Sequence, residues 1–222
     1  MKSFFSPDFL KLGVIFVLSL VCTTCTITHV KSPRPPTIRY LQPRVVYVRT
    51  SKGVNGGTGV VLRNHLVLTA EHVVTNHSTV LVERYDKDGK KLFSSRAHVV
   101  KVDEKNDLAL LNVEKSLGVR TRIAKRVSLG ESVITLGFPY DRDSKKRTYL
   151  SYSKGKVNTV TDKRIRFDAN VFFGSSGGPV FNKRGRVISV VQKGYSYFPA
   201  YYGVRPKVIR KFLKKVKLKG RW

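Results

Sequence analysis

One six-residue stretch, residues 174–179, constrains this chain more than any other part of its sequence. It reads Gly-Ser-Ser-Gly-Gly-Pro, with Gly174 two residues before Ser176 and two glycines directly after it. Glycine adopts positive φ and allows close approach of other atoms, so such a turn can expose one hydroxyl. It can also aim the amides of Gly174 and Ser176 at one point, as an oxyanion hole requires. The stretch predicts Ser176 as a nucleophile; the alternative is a purely structural glycine turn.

A serine hydroxyl becomes a nucleophile when a neighbouring base, usually a histidine held by a carboxylate, takes its proton. His72 lies where an apolar strand runs into a short turn, and Asp107 precedes the apolar run Leu108–Leu111. We expect Asp107 to orient His72, with Asp103 and Glu104 as the competing acids. The remaining histidines have no comparable setting; they are His29, His65, His77 and His98.

In these residues the chain resembles the trypsin-like (chymotrypsin-fold) serine peptidases, and among them the HtrA/Deg-type bacterial branch. The likeness covers about residues 44–216. The matching segments are Gly57–Val61, Thr69–Val74, Asp107–Leu111, Leu136–Pro139, Gly177–Val190 and Tyr202–Pro206. The resemblance implies a triad of His72, Asp107 and Ser176 that hydrolyses protein or peptide substrates through an acyl-enzyme, without a metal or cofactor. The PDZ domain that HtrA-type proteins usually carry after the protease is not expected within 222 residues.

Two departures from the HtrA pattern concern the substrate pocket. Val171-Phe172-Phe173 stands where these proteins usually carry an Asn-Pro-like loop, and Ser175 replaces an Asn or Asp. By resemblance, Asn170 occupies the position at which proteases that cut after Lys or Arg carry an acid. We therefore expect apolar P1 residues, held loosely because a methylene misfit discriminates by only about 1–3 kcal/mol. The predicted pocket comprises Asn170, Val171, Phe172, Val190 and Val191.

Short β-rich runs separated by turn signals follow one another from Arg44 to about residue 205, a pattern typical of all-β barrels or sandwiches. The resemblance makes this fold two six-stranded antiparallel β-barrels, one at about residues 44–120 and one at about 125–205. A basic C-terminal helix is predicted at about residues 206–219, because Ile209, Phe212, Leu213 and Val216 share one helical face. We expect that face to pack on the second barrel.

The formal net charge is +29, and no Asp or Glu follows Asp168. A strongly basic surface attracts anionic polymers and anionic membranes. An anionic membrane surface is therefore one candidate partner, and a merely solvated basic surface is the alternative. No base-reading motif is present, which argues against sequence-specific nucleic-acid binding. The sequence leaves the oligomeric state open.

The N-terminal segment, residues 1–29, reads as a signal peptide or a membrane anchor. Two lysines precede an uncharged, mostly apolar run at residues 12–21, which extends to residue 28 only as a marginal span. Residues 30–43 contain four prolines and are predicted as an extended spacer. The domain from residue 44 to residue 222 contains no cysteine. We expect an exported protein, periplasmic or secreted, or one anchored through residues 12–28.

The sequence thus predicts a serine endopeptidase. The alternative is a catalytically weak or inactive module of the same fold, which would bind an anionic membrane or nucleic acid through its basic surface. The two differ in whether Ser176 is reactive.

Overall fold

The computed structural model describes residues 36–50, 56–140, 149–194 and 201–214. The predicted signal or anchor segment, residues 1–29, and the early part of the spacer lie outside the described residues. Across the described ranges, no helix is both long and apolar enough to span a bilayer.

Within the described ranges, twelve strands form two closed six-stranded barrels, which confirms the predicted fold class. The strands of the first barrel are β1 Val45–Arg49, β2 Gly56–Arg63, β3 Leu66–Thr69, β4 Thr79–Tyr85, β5 Lys91–Asp103 and β6 Leu108–Val113. Those of the second are β7 Ser132–Gly137, β8 Ser151–Val160, β9 Arg164–Phe167, β10 Pro179–Asn182, β11 Val187–Gly194 and β12 Tyr201–Val204. Every pair of neighbouring strands is antiparallel.

The two barrels share one topology. The first closes in the order β1-β2-β3-β6-β5-β4, and the second in the corresponding order β7-β8-β9-β12-β11-β10. In each, the third strand pairs with the sixth rather than with the fourth. This pairing brings the turn after β3 close to the start of β6, although Thr69 and Asp107 are 38 positions apart in the chain.

Alternating side chains along a strand point to opposite faces, and here both faces of several strands are buried. In β1, Val46 and Val48 pack inside the first barrel, whereas Val45 and Tyr47 belong to a cluster with residues of both barrels. This explains why β1 reads as a continuous apolar run rather than as an alternating pattern. A third cluster fills the second barrel.

Helix α1, Ile38–Leu41, and a 3₁₀ turn at Gln42–Arg44 precede β1. The prediction of an extended spacer is therefore wrong for residues 38–43. The side-chain oxygen of Thr37 caps the helix by accepting from the amide of Tyr40 at 3.3 Å. Leu41 is fully buried in the cluster shared by the barrels, which ties the segment to the core.

Helix α2, Pro206–Lys214, begins where the sequence predicted, and the remainder of the predicted range lies outside the described residues. Its apolar residues Ile209, Phe212 and Leu213 are buried in the cluster that both barrels share, not against the second barrel alone. Lys101 of β5 also donates a 2.9 Å hydrogen bond to the carbonyl of Phe212. The helix is thus anchored to both barrels.

Candidate active site

His72 and Asp107 meet at one edge of the first barrel. His72 lies in a 3₁₀ turn, Glu71–Val73, that follows β3, and Asp107 directly precedes β6. Because β3 and β6 are paired strands, with Thr69 opposite Ala109, both side chains are brought to the same place.

Asp107 holds His72 at three points. The imidazole Nδ1 lies 2.9 Å from Oδ2 and 3.0 Å from Oδ1 of the carboxylate, and the amide of His72 donates to Oδ1 at 3.0 Å. With Nδ1 engaged, Nε2 is the ring nitrogen left for other chemistry. Burial alone would raise the pKa of Asp107, but the hydrogen bonds from the His72 ring and amide outweigh it and hold that pKa below its usual value.

Asp107 adopts a left-handed backbone conformation, with φ 51° and ψ 57°. This conformation is strained for residues other than glycine, although Asp tolerates it better than most. The turn before Asp107 is fixed from two sides. Asp103, one of the competing acids, accepts from the backbone amide and side-chain amide of Asn106 at 3.1 and 2.8 Å. The side chain of Gln192 donates to the carbonyl of Asn106 at 2.9 Å. The local strain at Asp107 is therefore supported by contacts from both barrels.

The hydroxyl of Ser176 donates to the backbone carbonyl of Gln192 at 3.3 Å. Among the described residues, the Ser176 hydroxyl makes no hydrogen bond to His72. The neighbouring Gly177 packs against Thr69 and Ala70, directly before the turn that carries His72. The structure therefore joins His72 to Asp107 and places the serine turn beside them, with the serine hydroxyl turned to Gln192.

The peptide before Gly174 has a defined orientation. The carbonyl of Phe173 accepts from the amide of Tyr140 at 2.7 Å. In a trans peptide the carbonyl and the N–H point in opposite directions, so the amide of Gly174 is directed away from Tyr140. Within the described part of the chain, the amides of Gly174 and Ser176 donate to no protein acceptor. Two backbone donors on this turn are thus left for an external oxygen.

Glycine is required at two positions of this turn. Gly174 has φ +95°, and a Cβ there would lie 2.6 Å from the carbonyl oxygen of Phe138. Gly177 has φ +82°, and a Cβ there would collide with Thr69 Oγ1 and the carbonyl of Thr58. A side chain at either position would displace the backbone around Ser176.

Thr58, on β2 of the first barrel, holds the serine turn of the second. Its hydroxyl donates to the carbonyl of Gly174 at 2.9 Å and accepts from the amide of Phe138 at 3.0 Å. Its own amide donates to the carbonyl of Ser176 at 2.8 Å. Thr58 is completely buried, so these bonds are shielded from water. The carbonyls on either side of Ser175 are thereby fixed to the other barrel.

A family model, the trypsin-like peptidase domain, matches residues 57–190. The chain belongs to the trypsin-like peptidase family. The matched range contains every residue of the predicted triad, and the resemblance inferred from the sequence motifs is confirmed.

Relatives that are named as proteases agree with this assignment. The chain is 28% identical over 170 residues to the magnetosome formation protease MamE of Magnetospirillum gryphiswaldense, with 73% of this chain and 22% of that protein covered. It is 28% identical over 153 residues to a probable periplasmic serine endoprotease, DegP-like, of Pseudomonas putida, with 67% of this chain and 31% of that protein covered. The chain thus spans well under half the length of these relatives.

A solved structure shares the fold of this peptidase domain. It is a mutant, inactive form of Rv3671c from M. tuberculosis H37Rv, which superposes with a TM-score of 0.67 at 23% identity. The match covers 86% of this chain and 94% of that one.

The predicted pocket residues of the peptidase domain do not all reach solvent. Asn170 is exposed and Phe172 is 57% exposed, whereas Val171 is partly buried. Val190 and Val191 are 0% and 1% exposed, so the prediction that they line an open pocket is wrong for this conformation. The reason is the position of β11: Val190 faces the cluster between the barrels, and Val191 faces the interior of the second barrel.

Phe173, which was not among the predicted pocket residues, is 76% exposed beside Phe172.

A cleft of about 360 Å³ lies against His72 and Asp107. Its lining mixes charges of both signs, with Glu71 and Glu104 opposed by Lys105 and Arg164. Gln192 and Tyr202 complete the wall. Within the described ranges, no three His, Cys, Asp or Glu side chains are grouped as a metal site would need.

Sequence reasoning missed three residues that support this arrangement, namely Thr58, Tyr140 and Gln192. Thr58 lies inside the Gly57–Val61 motif, so its glycine neighbours were a usable signal. Tyr140 donates its backbone amide to Phe173 and packs its ring edge-on against the Phe173 ring, with 6.4 Å between centroids. Gln192 is one polar residue after an apolar run. Neither the sequence around Tyr140 nor that around Gln192 indicates that the residue supports the candidate site.

Proposed function

We propose that this chain is a serine endopeptidase in which Ser176, His72 and Asp107 form the catalytic triad. The observation that carries the proposal is the hydrogen-bonded pair of His72 and Asp107 beside a serine turn with two uncommitted backbone amides. Family membership supports the same reaction class.

In the proposed mechanism, Ser176 Oγ attacks the peptide carbonyl while His72 Nε2 takes the hydroxyl proton. His72 then returns that proton to the leaving amine, and water hydrolyses the acyl-enzyme by the same steps in reverse order. Asp107 keeps the proton on Nδ1 of the neutral ring and stabilises the cation that forms. The amides of Gly174 and Ser176 stabilise the oxyanion of each tetrahedral intermediate.

The Ser176 hydroxyl must change its partner for this mechanism to operate. It donates to the carbonyl of Gln192 at 3.3 Å, a long bond for a hydroxyl donor. Rotation about one side-chain bond would free Oγ for His72, and such catalytic bonds often tighten only when substrate binds. The proposal therefore includes a rotamer change of Ser176 on forming the substrate complex.

We propose a preference for apolar P1 residues. Asn170 provides no carboxylate to pair with a Lys or Arg side chain, and the exposed rings of Phe172 and Phe173 supply apolar surface next to the serine turn. Val190 and Val191 are not part of this proposal, since both are buried.

We also propose that the chain acts outside the cytoplasm. The apolar run at residues 12–21 supports export, and the Pseudomonas putida relative is named as periplasmic. Fusion of residues 1–43 to alkaline phosphatase tests this point, because alkaline phosphatase folds to an active form only when it is exported. An inactive fusion would contradict it.

The direct test of the proposed reaction is hydrolysis of an unfolded protein substrate by the full chain. Ser176→Ala should abolish cleavage while the melting temperature stays unchanged. The matched control is Ser175→Ala, which removes the neighbouring buried hydroxyl and should retain cleavage. Equal activity of the parent and Ser176→Ala would refute the assignment.

A further inference from the structure

A basic surface lies outside the cleft that His72 lines. A groove of about 560 Å³ runs between the segment Lys125–Ser128 and helix α2 with the preceding Arg205. Its lining contains seven cationic side chains and no acidic one among the described residues. They are Lys125, Arg126, Arg205, Lys207, Arg210, Lys211 and Lys214.

Both walls of this basic groove are fixed to the core. On one wall, the buried Ala124 and Val127 flank Lys125 and Arg126 and leave those two side chains outward. On the other, helix α2 buries its apolar face and presents Lys207, Arg210, Lys211 and Lys214 at helical spacing on the opposite side. The backbone that carries the cations is therefore positioned before any partner arrives, which lowers the part of the entropic cost of binding that comes from ordering the backbone.

These cations have little internal compensation. Arg205 lies 4.0 Å from the exposed Asp162 and donates to the carbonyl of Thr161 at 2.9 Å. The other six make no ion pair or hydrogen bond among the described residues. Like charges that are neighbours on a helix repel one another. An anionic partner would relieve that repulsion.

The basic groove and the cleft are lined by neighbouring positions of one strand pair. Tyr202 and Arg164 line the cleft, Val204 of β12 pairs with Arg164 of β9, and Arg205 lines the groove. Tyr202 and Arg205 are three positions apart along the chain, or about 10 Å at the usual rise of a strand. An extended polypeptide held in the cleft could therefore reach the groove within a few residues.

The shape and lining of the groove select among anionic partners. A membrane is flat, and the apolar residues of α2 are buried in the protein, so the described helix has no apolar face to insert into lipid. The described lining contains no aromatic ring on which bases of a single strand could stack. An extended chain of carboxylates can pair with the cations of both walls.

The geometry points to this groove as a binding site for an acidic polypeptide segment, rich in Asp and Glu and bound in extended form. The site is separate from the triad and does not depend on the proposed peptidase reaction. In a substrate it would hold an acidic stretch a few residues from the chain bound in the cleft.

The test measures binding of a fluorescein-labelled oligo-glutamate peptide by fluorescence polarisation. The full chain carries Ser176→Ala, so the outcome does not depend on catalysis. One variant neutralises the helix wall with Lys207→Gln, Lys211→Gln and Lys214→Gln, and a second neutralises the other wall with Lys125→Gln and Arg126→Gln. A control variant removes three exposed charges outside the groove, as many as the helix-wall variant removes within it. Its substitutions are Lys90→Gln, Lys115→Gln and Lys183→Gln.

Each wall variant should weaken peptide binding about tenfold, since several ion pairs of modest strength are lost together. The control should bind like the parent. Equal weakening by the control would show a non-specific charge effect and overturn the proposal. Tighter, groove-dependent binding of oligo-dT or of phosphatidylglycerol vesicles than of the peptide would also overturn it, in favour of nucleic acid or lipid.

Discussion

The hydroxyl of Thr58 in the first barrel donates a 2.9 Å hydrogen bond to the carbonyl of Gly174 in the second. This contact crosses from the barrel that carries His72 and Asp107 to the barrel that carries Ser176. It fixes one end of the turn whose amides are the proposed oxyanion donors. Correct assembly of the site thus depends on a residue that has no role in the chemistry itself.

Thr58→Val keeps the shape of this side chain and removes its hydroxyl. The carbonyl of Gly174 and the amide of Phe138 then lose a buried partner, which should cost about 1–3 kcal/mol in the free energy of unfolding. We expect kcat to fall about tenfold with little change in KM, because the turn loses its fixed geometry. Thr58→Ser retains the hydroxyl and should stay close to the parent in kcat and in melting temperature. Unchanged kcat in the valine variant would contradict this role.

Asp107→Asn should remove catalysis while preserving the fold. Asparagine tolerates the left-handed conformation found at this position, but its amide cannot hold the His72 ring with the proton on Nδ1. The kcat should fall by about four orders of magnitude. Steady-state kinetics measure this loss, and circular dichroism should show an unchanged spectrum. A loss of less than tenfold would mean that another acid orients His72.

Gln192→Met tests the support of the Asp107 turn. The substitution removes the side-chain donor to the carbonyl of Asn106, while the backbone carbonyl that accepts from Ser176 remains. We expect kcat to fall about tenfold, because the turn that carries Asp107 loosens. The cost in stability should be small, since the side-chain oxygen of Gln192 has no hydrogen-bond partner in the described structure. A parent-like kcat would show that the turn needs no contact from the second barrel.

Glu83 gives the first barrel a pH-dependent contribution to stability. Its buried carboxylate accepts from Tyr85 at 2.7 Å and forms ion pairs with Arg49 at 3.1 Å and Lys91 at 2.9 Å. Burial would raise the pKa of Glu83, but these partners together hold it below its usual value. A carboxyl with a depressed folded-state pKa stabilises the protein above its unfolded-state pKa, and this contribution is lost as the pH falls through the lower, folded-state value.

Glu83→Gln should therefore lower the free energy of unfolding by about 1–3 kcal/mol near neutral pH, because the hydrogen bonds to this buried side chain lose their charge while Arg49 and Lys91 stay partly hydrated. The difference between parent and variant should shrink as the pH falls below about 4.5, the ordinary value for Glu. Urea titrations of both proteins across this range measure the effect. A difference that grows in acid would contradict the account.

Removal of the exposed aromatic rings tests the proposed substrate preference. Phe172→Ala with Phe173→Ala deletes surface that is largely exposed, so the free energy of unfolding should change by less than about 0.5 kcal/mol. We expect KM for peptides with apolar P1 residues to rise. A library of peptides that differ only at P1 measures the selectivity, and an unchanged profile would refute the role of these rings.

The sequence predicted the elements whose signal is local. Glycines around Ser176, the strand-to-turn setting of His72 and the apolar run after Asp107 each mark a residue by its immediate neighbours. The spacing of short strands, together with the family likeness, predicted both barrels. The start of helix α2 was predicted from Pro206 and the apolar spacing that follows it.

The contacts that the sequence did not predict are made between distant parts of the chain. Thr58 and Gly174 are 116 residues apart, and Gln192 and Asn106 are 86 residues apart. From the sequence alone, Glu83 has the pattern of an exposed strand residue. Closure of the barrel places Arg49 beside it. The burial of Val190 and Val191 likewise follows from strand pairing on both sides of β11. Such relationships depend on topology rather than on any local pattern.

The central claim is that Ser176 is an activated nucleophile. Its most direct measurement is covalent labelling of the full chain with a fluorophosphonate, followed by mass-spectrometric mapping of the modified residue. We expect one phosphonylated residue, Ser176, with labelling abolished by Ser176→Ala, strongly reduced by His72→Ala and retained by Ser175→Ala. Absence of labelling in the folded parent, or labelling that persists in Ser176→Ala, would contradict it.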